Sequence, residues 1–151
     1  MDCPTVFAVA TIEEIPLGQT SCASAALLAL RPRWQTAAAL ADFVDTRLRP
    51  VGYRLAGVLE DGQALSVIGF RDVHATAWGH YLYVDDLSTL PEARGRGHGS
   101  ALLDWVFDEA GRLGCEAVHL DSGVGADRAA AHRLYLRHHM RISAHHFAAE
   151  L

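Results

Sequence analysis

The residues of this chain that could do chemistry collect in its second half. Arg94-Gly95-Arg96-Gly97-His98-Gly99 places two guanidinium groups among three glycines, and Ser100 follows. Glycine permits positive φ and lets a ligand approach the backbone closely. Immediately after, Leu102, Val106, Ala110 and Leu113 recur at spacings of four, four and three, with Leu103 and Trp105 widening the stripe. That is helical periodicity. The first N–H groups of a helix have no internal partner, and the helix dipole adds partial positive charge there. Arg94, Gly95, Arg96, Gly97, His98, Gly99 and Ser100 therefore read as an anion-binding turn, with a diphosphate as its natural guest. A Walker loop is excluded, because no Gly-Lys-Ser/Thr follows. A dinucleotide fingerprint is also a poor fit. The glycines run G-x-G-x-G, and no acidic residue follows a second strand at the required distance.

Asp85 and Asp86 are the next candidates. They lie in a run rich in β-formers, Tyr81 to Leu90. Adjacent residues of a regular strand point to opposite faces, so one carboxylate is expected to face a cleft and the other to turn away. Asp121 and Ser122 are further candidates, just beyond a short apolar segment. The nine histidines include His138-His139 and His145-His146. Neighbours on a strand diverge, so neither pair makes a chelate alone, and no cysteine or carboxylate stands beside them at ligand spacing. No metal is expected.

These residues need a scaffold. A first strand is expected over Val6 to Ile12, then helices over Thr20 to Leu30 and Trp34 to Leu48, stopped by Pro32 and Pro50. In the second helix Ala38, Ala41, Val44 and Leu48 are expected to share a face. Gly52 to Leu59 and Ala64 to Val73 are strands of a hairpin, joined through Asp61-Gly62. His74 to Gly79 is a loop, and His80 to Leu90 returns as a third antiparallel strand. The helix after the glycine turn stops at Leu113-Gly114. Ala117 to Leu120 is a short strand, Asp127 to Arg137 a helix, and Ile142 to Phe147 a last strand. The order is β-α-α-β-β-β-α-β-α-β, an α/β (α+β) arrangement with a mixed, mostly antiparallel sheet flanked by helices.

Composition narrows the class. The chain has 151 residues, half of them apolar, which suits one domain over 1–151 with a full core. No run is long and apolar enough to span a membrane, and the start lacks a signal-peptide pattern. Cys3, Cys22 and Cys115 are an odd, scattered set, so a reducing cytoplasm is expected. The net charge of −5 argues against a nucleic-acid partner and suits a cationic or amine substrate.

Arg94, Gly97 and Gly99 also match Arg/Gln-x-x-Gly-x-Gly, with an apolar strand and Pro91 before it and an Ala-Leu-Leu helix after it. Here the chain resembles the GNAT superfamily, the GCN5-related N-acetyltransferases, whose element order is the one above. The resemblance implies acetyl-CoA as cosubstrate and transfer of its acetyl group to an amine by direct attack. It implies that the backbone of Leu87, Ser88 and Thr89 pairs with the pantetheine arm as an added strand would. Ala131-His132-Arg133-Leu134-Tyr135 resembles the helix whose tyrosine protonates the departing thiolate, which makes Tyr135 the candidate acid. An ammonium must lose its proton before it attacks, and Asp85 or Asp86 is the candidate base. The chain departs from the family where Arg128 replaces a usual Asn, and where His138-His139-Met140 replaces a usual Gly-Phe. Arg128 could meet a CoA phosphate or an acidic substrate group. The acceptor is a small-molecule or peptide amine of unspecified identity, and a homodimer is common in the family. Two rival readings are a CoA-binding module that senses without catalysis and a dinucleotide-binding domain. Trp34, Tyr53, Trp78 and Tyr81 could line an aromatic cleft.

Overall fold

The structure, a computed structural model, describes residues 11–151. Five strands form one sheet in sequential order: β1 (Ile12–Glu14), β2 (Tyr53–Glu60), β3 (Gln63–Ala75), β4 (Gly79–Thr89) and β5 (Ala117–Leu120). All neighbours are antiparallel except β4 and β5. The parallel pair needs a crossover, and α3 (His98–Leu113) supplies it. The expected strand over Val6 to Ile12 falls largely outside the described residues, and β1 begins at Ile12.

Helices cover both faces. On one side α1 (Ser24–Leu30), preceded by a 3₁₀ turn from Thr20, and α2 (Ala37–Phe43) close a core of Leu27, Leu40, Val44, Tyr53, Leu55 and Val67. The buried face of α2 runs through Leu40 and Val44, while Ala38 is exposed, which corrects the expected face. The Thr36 hydroxyl fixes the register by accepting from the Ala39 N–H at 3.2 Å, and residues 44–48 wind as a wider π turn. On the other side α3 buries Leu102, Leu103, Val106 and Ala110 against Ile68, Phe70, Leu82 and Val84. Gly114 ends α3 in the left-handed conformation, with the Cys115 N–H bonded to the Ala110 carbonyl at 2.9 Å. α4 (Ala129–Arg137) follows β5.

Two further expectations fail. The tight turn between β3 and β4 spans only residues 76–78, so His74 belongs to a strand and faces His80 across it. The loop expected over His74 to Gly79 is shorter because the alternation of β3 continues through Ala75. The last strand over Ile142 to Phe147 does not form. Ile142 and Phe147 are 84% and 90% exposed. With no face to bury, that segment has no apolar gain to offset the ordering of its backbone. No helix of the described residues is long and apolar enough to cross a membrane.

Candidate active site

The site begins with a fault in the sheet. Between β3 and β4 the register shifts at Gly69/Phe70, so Gly69 faces Asp86 while Phe70 faces Val84. Asp85 is the extra residue of a β-bulge. The bulge cancels the alternation expected for adjacent residues, and both carboxylates emerge on the face covered by α1 and α2. Their partners fix this. Arg71 grips Asp85 with two bonds of 2.8 Å. Arg71 stands directly across β2–β3 from Tyr53, whose hydroxyl donates to Asp86 Oδ2 at 2.9 Å. The expectation that Asp85 and Asp86 diverge is therefore corrected.

Arg31, just past the end of α1, closes over the pair. Its Nε donates to Asp86 Oδ1 and its Nη2 to the Asp85 carbonyl, each at 2.8 Å. Tyr53 is almost fully buried, and burial together with Asp86 holds its phenol well above the ordinary range. It stays a donor at any working pH.

The second fault is a split. β4 pairs with β5 only from Tyr81 to Val84. Beyond that point, residues 86–89 of β4 stay paired with β3 but have no strand on the other edge among the described residues. An edge of this kind offers unpaired N–H and C=O groups to an extended amide chain. Leu87, Ser88 and Thr89 lie on it. Ser88 and Thr89 are braced from β3 by the Ser66 hydroxyl, which lies 3.0 Å from the Ser88 carbonyl and 2.7 Å from Thr89 Oγ1.

A cavity of about 240 Å³ opens at the split. Asp85, Asp86, Leu87, Asp121, Arg128 and Tyr135 contribute to its wall, with Arg31 at the α1 side. Burial raises the Tyr135 phenol, and Arg128 opposes this. The phenol is thus protonated at neutral pH. The loop after β5 is held by His132, whose Nε2 lies 2.8 Å from the Gly123 carbonyl and 3.1 Å from Ser122 Oγ.

The glycine turn is built as its residues suggest. Gly95 and Gly97 have φ of +79° and +80°, and a Cβ at either would meet open space. Arg94 and Arg96 are exposed beside them. His98 opens α3 and is 7% exposed, and its Nδ1 is buried without a hydrogen-bond partner among the described residues. Burial, with Arg96 nearby, lowers its pKa, so it is neutral. Open backbone at two left-handed glycines, free helix N–H groups and an orphaned nitrogen suit a bound phosphate group. Gly99 packs on α4, where an added Cβ would lie 3.2 Å from Leu134. Ser100 lies 3.3 Å from His138 Nε2.

Arg31 and Arg71 were not readable as site residues, because only the strand register and the seat of α1 bring them to the aspartates. The four aromatic candidates do not share one cleft. Tyr53 lies under Asp86, Trp34 packs on Phe43, and Trp78 packs on Tyr81 and His119 near the β3–β4 turn. Asp121 is engaged by His146 at 3.0 Å.

The fold and the split strand pair define an acetyltransferase scaffold. The chain belongs to the acetyltransferase (GNAT) family, which its residues 20–140 match. It is similar to the aminoalkylphosphonate N-acetyltransferase of Salmonella typhimurium, at 35% identity over 105 residues. That match covers 67% of this chain and 64% of the relative, less than two thirds of the relative's length. Among solved structures, a ribosomal-protein-alanine N-acetyltransferase from Brucella melitensis superposes with a TM-score of 0.72 at 17% identity, covering 93% of this chain and 98% of that one. An integron cassette protein from the mobile metagenome of V. cholerae superposes at 0.79 with 14% identity, covering 95% and 94%. These likenesses concern the fold.

Proposed function

We propose that this chain is an acetyl-CoA-dependent N-acetyltransferase acting by direct attack of an amine on the thioester. The observation that carries the reading is the unpaired edge of β4 at residues 86–89, which runs from the Asp85–Asp86 bulge to the glycine turn. On this reading the free N–H groups of Gly95 to Ser100 hold the pyrophosphate, and the edge at Leu87 to Thr89 holds the pantetheine arm. A backbone N–H of the same edge polarises the thioester carbonyl. Tyr135 gives its proton to the departing thiolate.

The acceptor's ammonium proton leaves toward Asp85 or Asp86. Both are already bonded, to Arg71 on one side and to Arg31 and Tyr53 on the other. Arg31 is the partner that can give way, because its side chain is 44% exposed. The acceptor is an amine that also carries an anionic group. Two cations, Arg31 and Arg128, line the cavity beside the two aspartates. A guanidinium fork suits a phosphonate or carboxylate, and a relative's activity on aminoalkylphosphonates supports the same choice. The chain works as one domain in the cytoplasm.

The full engagement of both aspartates also favours a second reading, a domain that binds CoA without turnover. Calorimetry with acetyl-CoA on wild type, Gly97→Ala and Gly97→Glu tests the cofactor site. Both variants bear the same positive-φ strain, and only glutamate adds negative charge. Micromolar binding lost in Gly97→Glu and better kept in Gly97→Ala supports the reading. No binding by the wild type overturns it. Thiol release with a short aminoalkylphosphonate, compared with the alkylamine lacking the phosphonate, then separates enzyme from sensor and tests the anionic group.

A further inference from the structure

At the far end of the sheet from the cavity, the β3–β4 register assembles a cluster that the acetyl transfer does not use. Asp72 and His74 are two apart on β3 and share a face. His80 of β4 stands directly opposite His74. One donor atom from each of the three lies within 4.8 Å of the other two. His80 Nε2 is 2.6 Å from Asp72 Oδ1. The His74 and His80 rings stack with centroids 4.2 Å apart and planes 4° from parallel. A thiol adjoins His80 from outside that set: Cys115 Sγ is 3.5 Å from His80 Nε2.

Asp72 and His74 are exposed and His80 is partly buried, so an ion can reach all three from solvent. Two imidazoles and a carboxylate form a donor set that suits zinc and its first-row neighbours. Magnesium and calcium prefer all-oxygen shells. Ligands around a tetrahedral ion at about 2.0–2.2 Å stand roughly 3.3 Å apart. His80 Nε2 lies 2.6 Å from Asp72 Oδ1, and no donor of the three is more than 4.8 Å from another, so the set is within reach of that spacing. Shared coordination would require the two rings, now stacked, to come apart by χ rotation. His74 is free to make that rotation.

We propose that Asp72, His74 and His80 form a binding site for a divalent transition-metal ion of the zinc type, with the Cys115 thiolate as the fourth ligand. The ion would tie the β3–β4 turn to the junction of α3 and β5, since Cys115 opens that junction. It would brace the parallel β4–β5 pair from the end opposite the split.

The test uses the untagged chain, titrated with zinc and with cobalt(II). One equivalent is expected to bind and to raise the thermal midpoint. His74→Ala is at an exposed position and should keep its circular dichroism. It is expected to weaken binding about tenfold or more, since even groups behind the ligands cost that much, and Asp72→Asn should do likewise. Bound cobalt should show tetrahedral d–d bands and a thiolate-to-cobalt charge-transfer band, and Cys115→Ser should abolish the latter. The site is overturned if wild type binds no metal, or if His74→Ala/His80→Ala binds it equally well through the other histidines. A wild-type cobalt spectrum without the charge-transfer band would remove Cys115 from the site.

Discussion

Gly69→Ala is the substitution that would most directly expose how the aspartate pair is held. Gly69 faces Asp86 at the bulge, and the Tyr53 ring crosses above it. A Cβ at residue 69 would lie 1.8 Å from the Tyr53 hydroxyl oxygen, 2.3 Å from Cζ and 2.8 Å from Cε2. Ordinary carbon contacts begin near 3.5 Å. Tyr53 is 3% exposed, so the ring has no vacancy to enter and must move with its neighbours. Overpacking of this kind costs about 1–3 kcal/mol. The displaced phenol also loses a hydrogen bond to a carboxylate, and such bonds contribute about 1.5–3 kcal/mol. Asp86 keeps Arg31, so the lower part of that range applies, and the total is about 3 kcal/mol. For a chain of this size that lowers the thermal midpoint by roughly 6–12 °C. Differential scanning fluorimetry reads the midpoint, and calorimetry reads acetyl-CoA binding, which should survive because the glycine turn is separate. A midpoint within about 2 °C of wild type would refute the packing of Tyr53 over Gly69.

Tyr135→Phe removes the proposed acid and should lower kcat by about 10²–10³ while leaving acetyl-CoA binding intact; steady-state thiol release on the best acceptor checks this. Arg31→Ala should raise KM for an acceptor bearing an anion more than for a plain amine, with a stability change within about 1 kcal/mol because the guanidinium is 44% exposed and Asp86 keeps its bond from Tyr53. Glu109 is buried on α3, and Arg112 first and Arg54 second lower its pKa from 4.5 to about 2. Its folded pKa is depressed, so its contribution is complete above about 4.5 and fades as pH falls toward 2. Such a drop corresponds to at most ~3 kcal/mol, and screening through the exposed Arg112 leaves about 1–2 kcal/mol. Denaturant midpoints of wild type and Glu109→Gln should therefore converge between pH 4.5 and 2.

The sequence by itself determined the local chemistry. Positive φ at Gly95 and Gly97, the start of α3 behind them and its stop at Gly114 follow from residue types within a few positions of one another. So does the Asp61-Gly62 turn, where both residues have positive φ. These features depend on backbone freedom and short-range hydrogen bonds, which a linear reading can see. Tertiary structure decided what faces what. Asp85 and Asp86 share a face only because β3 and β4 slip by one residue at Gly69, and a slip belongs to a pair of strands rather than to either strand. His74 meets His80 through the same pairing. Arg31 and Tyr53 reach Asp86 from 55 and 33 residues away. Ile142 to Phe147 has strand-forming residues but no partner among the described residues to bury them, and without a buried face their propensity has nothing to act on.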